Sequence, residues 1–146
     1  MPDNEPGYAA PDLGLVGANH IARYRETDGA VGYEWNGVPT LLLTTTGRRS
    51  GAPRTCALIF GRDGDDYLVI ASKGGAPAHP EWYLNLEDHP RAEIQVRAER
   101  VPVVARTASG DERSRLWQIM AEQWPNYDVY RTRTDRIIPL VVLSPV

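Results

Sequence analysis

The chain has 146 residues, 42% hydrophobic and 24% charged, with a net charge of −3. That composition suits one globular domain and excludes a largely disordered chain; so small a net charge also argues against nucleic acid as a general partner. The single cysteine, Cys56, cannot form an internal disulfide, and no signal peptide or bilayer-length apolar run is present, so the cytoplasm is the default location.

Residues 1–18, rich in Pro, Gly, Asp and Ala, read as a flexible arm, and 19–146 as a single domain. The arm leaves peripheral membrane contact open. A short helix is predicted over 19–27, then strands over 38–46, 55–62 and 67–72, the last two joined by a hairpin at Asp63-Gly64-Asp65-Asp66. The loop Lys73-Gly74-Gly75-Ala76-Pro77 leads to Pro80, at a predicted helix start, and to a short helix carrying Trp82, Tyr83 and Leu86. Strands over 91–97 and 101–107 flank a turn at Ala98-Glu99. Ser109 and Glu112 predict a capping box, with Leu116, Trp117 and Met120 on the inner face of the helix that follows. An aromatic, polar stretch over 124–135 precedes a closing strand over 138–143. Six strands, short connections and two helices on one side predict a mainly β fold, an antiparallel barrel.

The segment 41–54 is the richest in chemistry. An apolar strand runs into a turn of Gly47, Ser50, Gly51 and Pro53, where Gly51 can adopt backbone angles closed to other residues, and the turn presents Arg48, Arg49 and Arg54. Guanidiniums pair with phosphate or carboxylate at two points, so an anion site fits; a solvated basic hairpin fits the spacing as well. Arg supplies 15 of the 16 basic residues, a bias that genomic base composition explains as readily as guanidinium chemistry. Ser72, Lys73, Gly74 and Gly75 end a strand in a backbone-exposing loop able to read a flat, anionic ring; an exposed loop with a solvated Lys is the alternative. Trp124, Tyr127 and Tyr130 recur at three-residue spacing, as a pocket wall in which a Tyr hydroxyl can orient or protonate an acceptor. Arg131, Arg133 and Arg136 read as a solvated face, with anion binding as the alternative. His20, His79 and His89 are scattered, so no metal site is expected, and Cys56 reads as a small buried residue. Neither a dinucleotide or Walker glycine motif nor a nucleophile elbow occurs.

Four segments in order carry a resemblance: Thr44-Thr45-Thr46-Gly47-Arg48-Arg49-Ser50-Gly51 with Pro53-Arg54; Ala71-Ser72-Lys73-Gly74-Gly75; Glu81-Trp82-Tyr83-Leu84-Asn85-Leu86 with His89-Pro90; and Thr134-Asp135-Arg136 before Ile138-Pro139. Together they resemble the deazaflavin-dependent nitroreductase family, six-stranded split β-barrels, FMN-binding-like, that use coenzyme F-420. The resemblance implies an oxidoreductase that transfers a hydride from the C5 carbon of reduced F-420 to a quinone-like or nitroaromatic acceptor. It implies that Arg49 and Arg54, with Arg48, hold the phosphate and tail carboxylates; that Ser72, Lys73, Gly74 and Gly75 lie along the rings, Ser72 toward the substrate; and that Trp82 and Asn85 shape the pocket. The family's Tyr-x-x-Tyr-x-x-Tyr site becomes Trp124, Tyr127 and Tyr130, and Ile59 stands where some members carry an aromatic residue, so the acceptor side departs from the pattern. Since the cofactor carries the redox chemistry, no catalytic dyad is needed. The alternatives are an FMN-dependent relative of the same barrel class and a non-catalytic F-420 carrier. The acceptor is a small molecule, and the chain a monomer or a homodimer.

Overall fold

Eight strands and four helices organise residues 7–146, the part of the chain that the computed structural model describes. In order these are α1 (Ala18–Thr27), β1 (Glu34–Trp35), β2 (Val38–Thr46), β3 (Pro53–Ile59), β4 (Gly61–Asp63), β5 (Asp66–Ile70), α2 (Glu81–Asp88), β6 (Arg91–Val96), β7 (Glu99–Thr107), α3 (Gly110–Gln123), α4 (Asn126–Thr132) and β8 (Leu140–Pro145). A single 3-10 turn, Lys73–Gly75, lies between β5 and α2.

The described ladders are all antiparallel and run β2-β6-β7-β8-β5-β4, with β3 on the other side of β2. β3 and β4 are one bent strand. Its first half pairs with β2 from Thr46↔Pro53 to Thr40↔Ile59, and its second half pairs with β5 from Gly61↔Leu68. At the bend, Phe60 donates its N–H to the Pro39 carbonyl at 3.1 Å. The bent strand therefore closes the sheet on itself, which removes open edges. Counted this way, and with the two-residue β1 as a spur, the six-stranded barrel expected from the sequence is present; the strand expected over 55–62 is the one that bends.

Period-two patterning fills the barrel. Leu41, Leu43, Tyr67, Val69, Ile94, Val103, Val141 and Leu143 share one buried cluster with Phe60. Leu68, Ile70, Leu140 and Val142 face the other way, beneath Leu116, Trp117, Met120 and Tyr127. Strands β5 and β8 are thus buried on both faces, and for that reason their sequences run almost continuously apolar. Each fully buried Leu contributes about 1.5–3 kcal/mol to stability.

Two expectations change. A fourth helix joins the three expected along the chain, because the aromatic stretch after α3 coils into α4. Ser109 does sit at the N-cap of α3 in extended geometry, yet its side chain makes no capping bond. Glu112 instead accepts two bonds from Arg106, at 2.6 and 3.0 Å, and such a charge-assisted two-point pair outcompetes a neutral cap. Of the arm expected over 1–18, residues 1–6 lie outside the described residues. From there on, Ala9 exchanges two backbone bonds with the Asn126 side chain (2.9 and 2.8 Å), and Leu15 O accepts from Trp35 Nε1 at 2.7 Å. No helix among the described residues is long and apolar enough to cross a membrane.

Tyr24 ties α1 to the barrel. Its buried hydroxyl lies 3.0 Å from Thr40 O and 3.2 Å from Gln95 O, and accepts the Arg97 N–H at 2.8 Å. Burial raises its pKa, so the phenol keeps its proton. Tyr24→Phe leaves these backbone groups unpaired, and we expect a loss of about 1–3 kcal/mol in urea denaturation with the barrel retained; a change near zero would refute this anchoring.

Candidate active site

The turn between β2 and β3 satisfies its own backbone. Gly47 N bonds Ala52 O at 2.8 Å, Gly51 N bonds Gly47 O at 2.8 Å, and Ala52 N bonds Ser50 Oγ at 3.1 Å. Its guanidiniums are therefore left for other work. Arg48, Arg49 and Arg54 line a cavity of about 460 Å³ with Thr55, Cys56, Glu81, Trp82 and Asn85. Arg48 is fixed from α2: Asn85 Oδ1 accepts both its N–H (3.2 Å) and its Nη1 (3.0 Å), and Glu81 Oε2 lies 2.7 Å from Nη1. Buried Asn85 is itself oriented by donating Nδ2 to Thr45 Oγ1 at 3.2 Å. The hydrogen bond from Arg48, aided by the charges of Arg48, Arg49 and Lys73, holds the Glu81 carboxyl below the usual range. Arg49 and Arg54 are exposed.

Past the end of β5, Lys73 and Gly74 take left-handed backbone angles, φ 47° and 64°; glycine does so freely, whereas Lys73 is strained. Ser72, Lys73 and Gly74 line a second cavity. Gly75 does not; it is buried against α4, where an added Cβ would lie 2.6 Å from Tyr130 O. The ledge is clamped from behind by Arg136, which donates to Ala76 O (2.8 Å), Ala71 O (3.2 Å), Ser72 O (2.7 Å) and His79 Nδ1 (2.9 Å). Arg133 donates to Gly74 O at 3.0 Å. The sequence reading of Arg133 and Arg136 as a solvated face is thus corrected: both are half-buried braces, and burial lowers the Arg136 pKa. Their partners lie some sixty residues away, so no local pattern gave them away.

The second cavity, of about 740 Å³, brings Ile59, Trp82, Trp124, Tyr127 and Tyr130 together with the ledge. Tyr127 is buried and its phenol is held protonated by desolvation, whereas Tyr130 is half-buried. The two rings meet edge to face, 6.0 Å apart. One wall went unanticipated: Leu15, Val16, His20 and Trp35. His20 Nε2 sits 2.8 Å from Gly32 O, a carbonyl, so that nitrogen carries the proton; its ring stacks on Trp35, which packs 5.5 Å from Trp124.

Thr55, Cys56 and Trp82 line both cavities, which therefore adjoin. Burial pushes the Cys56 thiol up to about 12, leaving an inert wall rather than a nucleophile at neutral pH. Among the described residues no three His, Cys, Asp or Glu side chains gather as a metal site. The groove can thus hold a long ligand, anionic at one end and flat and apolar at the other.

Residues 17–145 match the sequence profile of the F-420H(2)-dependent quinone reductases. The chain is 46% identical over 129 residues to an F-420H(2)-dependent quinone reductase of Mycobacterium tuberculosis (strain ATCC 25618 / H37Rv), covering 86% of this chain and 87% of the relative. A solved F-420-dependent reductase (FDR-A) superposes with a TM-score of 0.68 at 38% identity, covering 73% of this chain and 94% of that one. A second solved structure, described as a domain-swapped dimer, gives a TM-score of 0.71 at 36% identity over 85% of this chain and 93% of that one.

The clamp on the ledge has a measurable signature. Arg136→Ala removes several charge-assisted bonds to carbonyls, and we expect a loss of at least about 2 kcal/mol in stability with faster hydrogen exchange at the Gly75 and Ala76 amides. Unchanged exchange there would show that Arg136 does not hold the loop.

Proposed function

This chain belongs to the F-420H(2)-dependent quinone reductase family, and we propose from that membership that it is an oxidoreductase passing a hydride from reduced coenzyme F-420 to a quinone. The family does not favour the FMN-dependent and carrier alternatives. The observation that carries the proposal is the joined groove, with guanidiniums at one end, a glycine ledge in the middle and aromatic rings at the other.

The residues fit the coenzyme in order along its length. Arg49 and Arg54 would hold the phosphate and the carboxylates of the tail, with Arg48 held ready beside them by Asn85. Ser72, Lys73 and Gly74 would support the ring system from the ledge, which Gly75 locks against α4. Trp82, at the junction of the two cavities, would shape the pocket where the ring system meets the tail. When bound, the reduced coenzyme supplies the hydride, so the protein's contribution is placement and exclusion of water. Ile59, Trp124, Tyr127 and Tyr130 form the acceptor end, where a flat electron-poor molecule, a quinone or a nitroaromatic, stacks against rings. A quinone that accepts a hydride must also gain a proton to become a hydroquinone. Half-buried Tyr130 presents a phenolic proton there, beside the deeper hydroxyl of Tyr127. Trp124 replaces a third hydroxyl with bulk and an N–H. We place the reaction in the cytoplasm; exposed Leu13 and Val16 suit approach to a membrane if the acceptor is lipid-soluble.

Titration with reduced F-420, followed by its oxidation with menadione, tests the proposal; no binding at micromolar coenzyme would overturn it. Arg54→Ala should weaken coenzyme binding roughly ten- to a hundredfold, measured by fluorescence titration, since a charged hydrogen-bonding partner is lost. Tyr130→Phe should slow turnover by on the order of a hundredfold with coenzyme affinity nearly unchanged, as stopped-flow oxidation would read.

A further inference from the structure

We infer that Glu81 is a built-in counter-anion that sets how tightly, and for which anions, the guanidinium end of the groove closes on its ligand; the inference rests on the reading of that end as the phosphate and carboxylate site. Glu81 opens α2 and lines the same cavity as Arg48, Arg49 and Arg54, with its carboxylate 2.7 Å from Arg48 Nη1. Among the described residues that line the cavity, it is the one carboxylate. Its charge thus stands where a ligand's phosphate or carboxylate would stand.

Two roles are conceivable for such a group, orienting Arg48 or competing with the ligand, and the geometry decides between them. Arg48 does not depend on Glu81 for its position, because Asn85 Oδ1 accepts from both its backbone N–H and its Nη1, and Asn85 is buried and anchored on Thr45. The Glu81 side chain is 74% exposed while that of Arg48 is only 21% exposed, so an arriving anion can open the pair from the solvent side by displacing the carboxylate into water. Once it opens, the carboxylate remains beside the incoming negative charge and repels it. A small anion that reaches Arg48 alone gains nothing over Glu81, whereas a ligand that also reaches Arg49 and Arg54 does. Glu81 therefore favours an extended polyanion over free phosphate, and speeds the departure of the spent coenzyme.

The test compares wild type, Glu81→Gln and Glu81→Asp, each titrated with oxidised F-420 and with inorganic phosphate as competitor. Glu81→Gln removes the charge and keeps the shape; we expect F-420 to bind about three- to fivefold tighter, to dissociate correspondingly more slowly, and to be displaced by less phosphate, in line with the worth of one exposed charge pair. Glu81→Asp keeps the charge and should stay within about twofold of wild type. Unchanged or weaker binding in Glu81→Gln would assign Glu81 to holding Arg48 and overturn the inference, as would a Glu81→Asp protein that tightens equally. A wild-type protein that binds no F-420 would instead overturn the underlying function, so the two failures are distinct.

Discussion

The bend at Phe60 is the constraint on which the rest of the molecule depends. By pairing with β2 before the bend and β5 after it, one strand closes the barrel and forms the floor shared by both halves of the groove. Gly61 lets α3 pack directly on the corner: a Cβ there would meet Met120 Sδ at 2.6 Å. The same stretch that satisfies the sheet's hydrogen bonds thereby contributes Arg54, Thr55, Cys56 and Ile59 to the line of the groove.

Along that line the physics changes from one end to the other. At the basic turn, exposed charges keep their hydration and act at long range, which suits capture of a polyanion. At the far end, the buried Tyr127 ring with its protonated phenol and its aromatic neighbours exclude water, which suits a step that water would quench. Between them the ledge has to be stiff despite its glycines, and Arg136 provides that stiffness by gathering three carbonyls and one imidazole into a single guanidinium. Placing two cavities side by side lets one protein combine these environments without compromise.

Much of this was legible in the residues. The unbroken apolar run from Leu41 reads as a buried strand, the hairpin at 63–66 announces itself by composition, and the turn that carries three arginines reads from Gly47 and Gly51. What escaped reading depends on distant partners. Gly61 is explained only by Met120 packing on it, the clamp joins Arg136 to a loop some sixty residues earlier, and His20 enters the cavity wall only because Gly32 and Thr40 fold around it. The capping box failed for a similar reason: Arg106, on the preceding strand, took the carboxylate that local sequence had reserved for the helix.

The wall built by Leu15 and Val16 belongs to neither strand nor helix and is fastened by side chains, with Trp35 holding Leu15 O and Asn19 holding Val16 N. No ladder bond of the barrel passes through it. Replacement or lengthening of that stretch leaves the sheet's register and the arginine turn untouched while remodelling the chamber over the rings, so descent with modification can diversify what such a protein reduces without relearning how it carries electrons.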